Sequence, residues 1–151
     1  MSFQAPAKAT AALYNLNFVV FSILCGRLLV SALLLPDKNG YQPNYGDYRF
    51  AFDDRKNKWL SIATRTENKE SQAPIRIHAD INAFAAMLDK GNSIDMRVEK
   101  GRQAYLVLIE GQADINGIEL NERDALEIVE ENITIKALRP AHILVIEMAR
   151  G

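Results

Sequence analysis

The dipeptide Asn116-Gly117 constrains this chain more than any other pair of residues. It separates Ala113-Asp-Ile115 from Ile118-Glu-Leu120, and both of its residues tolerate the positive φ that a type I′ turn demands. Two strands joined by such a pair form a hairpin. Upstream lies the stretch 97–111, RVEKGRQAYLVLIEG. It reads as a charged, Gly-containing loop over 97–103, an apolar run over 104–109 and a stop at Glu110-Gly111.

Short strand signals surround the hairpin, at 59–63, 75–78, 83–88, 93–98, 104–109, 113–115, 125–129, 133–137 and 142–148. Turn-forming groups separate them: Lys90-Gly91-Asn92, Lys100-Gly101, Asn121 to Arg123, Glu130 to Asn132, and Arg139-Pro140. Alternation is clean in places. Ile75 and Ile77 oppose Arg76 and His78, and Ile133, Ile135 and Ala137 oppose Thr134 and Lys136. Many short strands with such turns predict an all-β sandwich or closed barrel from about residue 59 to 148. Leu106, Leu108, Ile115, Leu126, Ile128, Ile133, Ile135, Leu144 and Ile146 are its expected interior. Helix is expected in at most one or two turns, within residues 7–13.

The N-terminal part differs in character. Residues 1–35 carry only Lys8 and Arg27 as charged groups, and the run 18–35 is the most apolar in the chain. Its length approaches that of a membrane span. Arg27 near its middle argues against one, because a central Arg costs roughly 2.5–3.5 kcal/mol on insertion scales. Arg27 also interrupts what would be the apolar core of a signal peptide. The run is therefore expected to form two buried strands, or a short helix and a strand, hinged at Gly26-Arg27. Residues 1–35 read as an apolar extension, 36–58 as a linker and 59–151 as the barrel. The rings of Tyr41, Tyr45, Tyr48, Phe50, Phe52 and Trp59 are expected to pack where the linker crosses a sheet.

Composition excludes some partners. Net charge is −1, and no basic stripe interleaved with aromatics marks a nucleic-acid surface. The single cysteine, Cys25, permits no internal disulfide and sits among apolar neighbours, as a small hydrophobe would. A reduced, cytoplasmic setting is the expectation.

Three stretches carry a family resemblance. Leu33-Leu-Leu-Pro-Asp-Lys-Asn-Gly40 with Gln42-Pro-Asn-Tyr45 and Phe50 is one; Ile77-His78-Ala-Asp80 is the second. Gly101 to Gly111, with Asn116-Gly117 and Arg123-Asp124-Ala125, is the third. Together they resemble the C-terminal cupin domain of the pirin and quercetin-dioxygenase-like bicupins. The resemblance implies a cupin double-stranded β-helix, a jelly-roll barrel, with the first cupin missing from these 151 residues. Residues 1–26 share no such likeness.

Metal-binding cupins of this kind use two His, a Glu and a further His. Laid on Gly101 and Gly111, three of those positions fall on Arg97, Glu99 and Gln103, and no His lies between Asp124 and Arg139. A guanidinium cannot ligate, and one carboxylate makes no site. The implied protein carries no metal cofactor. Arg97, Glu99, Arg102, Gln103 and Tyr105 are then the candidate pocket, a mixed-charge cavity for a small anion or carboxylate. The competing reading is an Arg97–Glu99 ion pair closing a vestigial pocket. His78 and His142 read as surface or strand-end histidines. Three functions compete: a metal-free binding and assembly module, a flavonoid dioxygenase of the quercetin type, and a small-ligand sensor. A homodimer through the apolar segment 16–35 is the expected partner arrangement.

Overall fold

The computed structural model describes the backbone at residues 19–25, 28–34, 44–45 and 52–151, and side chains from residue 53 onward. The helical turns expected at 7–13 lie outside the described residues, as does most of the expected linker. Among the described residues the only helical element is one 3-10 turn, Phe52–Arg55. No described helix is long and apolar enough to cross a membrane.

The apolar run forms two strands. β1 (Val19–Cys25) and β2 (Leu28–Leu34) pair antiparallel, from Val19↔Leu34 to Cys25↔Leu28. A two-residue strand, β3 (Asn44–Tyr45), adds in parallel to β1. Of the two arrangements the sequence allows here, strand followed by strand is the one adopted.

The remaining strands are β4 (Leu60–Arg65), β5 (Ile75–Ile77), β6 (Ile81–Leu88), β7 (Ser93–Arg97), β8 (Arg102–Ile115), β9 (Ile118–Asn121), β10 (Ala125–Val129) and β11 (Asn132–Ala149). They hydrogen-bond in the order β10-β8-β11-β6-β4-β5, with β7 on β11 and β9 on β8. The long strands β8 and β11 each serve two layers. The first half of β11 pairs with β7 and its second half with β6. The first half of β8 pairs with β10 and its end with β9.

This arrangement corrects two expectations. The sequence predicts a stop at Glu110-Gly111 and a turn at Arg139-Pro140, yet both strands run through. They bend together instead. The β8–β11 register slips between Ala137 and Arg139, between Arg139 and His142, and between His142 and Ile143. Gly111 sits at the bend with φ of 93°. A Cβ there would overlap the Pro140 carbonyl oxygen. Gly and Pro interrupt a ladder, and here the interruption is a bulged corner rather than a chain reversal.

Two apolar clusters use opposite faces of the β8–β11–β6–β4 sheet. Leu106, Leu108, Ile128, Ile135, Ile143 and Val145 fill the barrel. Ile62, Ile77, Ala83, Ala85, Ile109 and Leu144 form the second cluster behind it. Seven of the nine expected interior residues are buried; Leu126 and Ile146 are half-buried against the two clusters. The hairpin matches its sequence signal. Asn116 and Gly117 have φ of 50° and 87°, and Asp114 Oδ1 accepts the Gly117 N–H at 3.0 Å.

Replacing Gly111 by Ala should cost about 3–5 kcal/mol, combining a left-handed backbone penalty with steric overlap at a paired strand. Gly101 has φ of 81° but open space around it. Gly101→Ala should therefore cost only about 1–2 kcal/mol. Urea unfolding of the two variants checks the difference.

Candidate functional site

The candidate residues lie where β7 ends and β8 begins. Arg97 closes β7 and Glu99 follows it in the loop. Their side chains are exposed and bonded to each other, Arg97 Nε to Glu99 Oε1 at 3.0 Å. Alternation then divides the residues of β8. Leu106 and Ala104 face the barrel core, so Arg102 shares their side while Gln103 and Tyr105 face away. Tyr105 donates its hydroxyl to Glu127 at 3.4 Å on the neighbouring β10. The five candidates thus do not converge on one cavity.

Arg102 has a different role from the one expected. Its guanidinium forms a fork with Asp80, at 2.9 and 3.0 Å, and also holds Glu147 through Nε and through Nη2, the latter at 3.1 Å. Glu147 accepts from Asn82 at 2.8 Å, and Asn82 accepts from Thr64 at 2.6 Å. Asn68 donates to the Thr64 hydroxyl at 3.2 Å. This polar row crosses β8, β11, β6 and β4 at one end of the barrel. Glu147 is buried, and such a carboxylate persists only when its oxygens are satisfied. The Arg102 hydrogen bond holds the Asp80 carboxyl below its ordinary range, with the Arg102 charge adding to it. Bonds to Glu147 and Asp80 raise the Arg102 pKa in turn.

His142 is a second correction. Far from a surface or strand-end histidine, it is 1% exposed. It lies opposite Glu110 on β8 and Met87 on β6, where β11 leaves the corner. Burial pushes its pKa down from 6.5 to about 4. A signal was present in the sequence: His142 stands in the otherwise apolar run Ala141-His-Ile-Leu-Val-Ile146, the pattern of a central strand covered on both faces, and 141–145 are all buried.

A divalent metal does not fit the residues at the cupin ligand positions. Arg97 is a cation committed to Glu99, and Gln103 points away from the barrel core. Ala104, which does point inward, has no donor. Among the described residues no three His, Cys, Asp or Glu side chains gather as a metal set.

A jelly-roll barrel whose two longest strands bend together at a Gly–Pro corner defines the chain as a cupin. Its sequence matches the quercetinase C-terminal cupin domain over residues 62–148, and the chain belongs to that family. It is 32% identical over 117 residues to a Pseudomonas aeruginosa protein provisionally named quercetin 2,3-dioxygenase, covering 77% of this chain and 50% of that one. It is also 32% identical over 115 residues to a pirin-like protein of Caulobacter vibrioides, covering 76% and 49%. The chain thus spans about half the length of the curated relatives it matches. Among solved structures, the bacterial pirin YhhW of Escherichia coli in complex with nickel(II) superposes with a TM-score of 0.70 at 22% identity. That match covers 82% of this chain and 51% of YhhW, and it shows the fold.

The buried imidazole gives stability a defined pH dependence. Above pH 6.5 it is neutral both folded and unfolded and contributes no slope. As pH falls below 6.5 the unfolded chain takes the proton first, and stability drops until the folded pKa near 4 is passed. The loss should reach about 3 kcal/mol, at about 1.4 kcal/mol for each tenfold difference in proton affinity between the two states. Urea unfolding between pH 7.5 and 4.5 should show it, and His142→Leu should flatten this part of the curve.

Proposed function

We propose that this domain is a metal-independent binding and assembly module of the pirin-like class, and that it works as a homodimer. The observation that carries the reading is the Arg97–Glu99 ion pair at the family's ligand positions. It consumes the one carboxylate there and places a permanent cation where a ligand would stand. Assembly draws support from the N-terminal sheet. β2 is its edge, with β1 as its one strand partner among the described residues. An edge strand offers its free backbone groups to a second chain. In this reading residues 1–35 are the assembly extension, 36–58 the linker and 59–151 the barrel, acting in the cytoplasm.

The second reading is a quercetin-type dioxygenase, favoured by the name of the Pseudomonas relative. Such chemistry needs a redox-active metal on three or four nitrogen and oxygen donors. Elemental analysis of protein purified without chelator separates the two readings. Substoichiometric iron, copper, manganese and nickel is the expected result; one equivalent of any of them, with oxygen consumption on quercetin, would overturn the proposal. Size-exclusion chromatography with light scattering tests assembly. The full chain should run as a dimer, and deletion of residues 1–26 should give monomers or aggregates. A monomeric full chain at high micromolar concentration would sink the dimer.

A further inference from the structure

A cleft of about 560 Å³ lies apart from the candidate residues, between the 3-10 turn, the start of β4, the middle of β6 and the loop 66–74. That volume falls within the roughly 300–1,000 Å³ of small-molecule sites. Two half-exposed rings, Trp59 and Phe84, stand beside Leu60 and Pro74 in its apolar part, with centroids 6.4 Å apart and planes at 65°. The one polar atom of the indole is already used, because Trp59 Nε1 donates to the Asp95 carbonyl at 2.8 Å. The indole N–H is therefore not available to a ligand, which meets Trp59 through ring carbons only. Around the rings stand the hydroxyls of Ser61 and Ser71, 3.4 Å apart, the amide of Gln72 and the carboxylate of Asp54.

The loop wall is pinned before any ligand arrives. Arg76 donates to the carbonyls of Asn68 and Ser71, the latter at 2.7 Å, and Ser71 Oγ accepts the Ala73 N–H at 3.2 Å. On the facing side, Ser61 stands opposite Phe84 in the β4–β6 ladder, beside a register shift between Ser61 and Ala63.

We propose that this cleft binds a neutral saccharide unit, stacked on Trp59 and Phe84 and hydrogen-bonded by Asp54, Ser61, Ser71 and Gln72. Two features select that chemistry. Among the described residues the only charged one lining the cleft is an acid, which disfavours carboxylate and phosphate ligands. A quaternary ammonium would use the rings and Asp54 but carries no hydrogen-bonding group for the hydroxyl pair of Ser61 and Ser71 or for Gln72. A pyranose has an apolar face for a ring and a hydroxylated rim for the four polar side chains. The proposal stands independently of metal content and of oligomeric state.

Trp59 is the only tryptophan in the chain, so intrinsic tryptophan fluorescence comes entirely from a residue that lines this cleft. The intact protein is titrated with maltose, cellobiose and lactose, and in parallel with tetramethylammonium chloride, sodium acetate and quercetin. A saturable change is expected with at least one disaccharide, at a dissociation constant on the order of millimolar. Phe84→Ala and Ser71→Ala should each weaken it by about tenfold. The exposed Gln72→Ala should weaken it in the same direction, and keeps the test valid if Phe84→Ala fails to fold. In Trp59→Phe, saturation-transfer NMR should still detect the sugar. No saturable response to any disaccharide would overturn the proposal. So would preferential binding of tetramethylammonium, acetate or quercetin, or disaccharide binding unchanged in the folded variants.

Discussion

The close approach of Gly111 to the Pro140 carbonyl is the contact on which the rest of this fold depends. A barrel made of two layers needs strands that pass from one layer to the other, and a regular ladder resists so sharp a bend. At this corner the resistance is removed on both strands. Gly111 lacks the Cβ that would block the approach and adopts φ of 93°, while Pro140 donates no hydrogen bond to the ladder. The register slips on either side of Pro140 let β11 change direction without losing its pairing to β8. Everything beyond the corner follows from it: Ile115 and Ile135 meet across one layer, Leu106 and Val145 across the other, and all four enter one core.

Because the central sheet is apolar on both faces, its polar groups collect at its ends. One end carries the row from Arg102 through Glu147 and Asn82 to Thr64. The other carries the corner with buried His142. The first is a set of satisfied charges; the second is a neutral imidazole that tolerates burial only while it stays unprotonated. The cleft beside Trp59 lies off this axis, where the β4–β6 ladder is irregular.

Local order was legible in the sequence. The Asn-Gly hairpin, the alternation of Ile133, Ile135 and Ala137, and most strand positions rest on neighbours two residues apart or on one turn. The Arg97–Glu99 pair could also be foreseen, since its members are two residues apart. The corner could not, because Gly111 and Pro140 carry the same composition signal whether a strand ends or bends. Arg102 escapes a local reading for a related reason: its partners, Asp80 and Glu147, stand 22 and 45 residues away. The cleft was invisible for the same cause. Trp59, Ser71 and Phe84 come from three segments, and their meeting depends on the β4–β6 register.

Sharing two strands between both layers has a mechanical consequence. Neither layer owns a complete set of strands, so neither can detach as a lid. Peeling β7 and β9 away tugs on the same backbone that anchors β6 and β10. The two layers are therefore joined through the continuous backbones of β8 and β11, and a load applied to one layer passes along covalent bonds into the other.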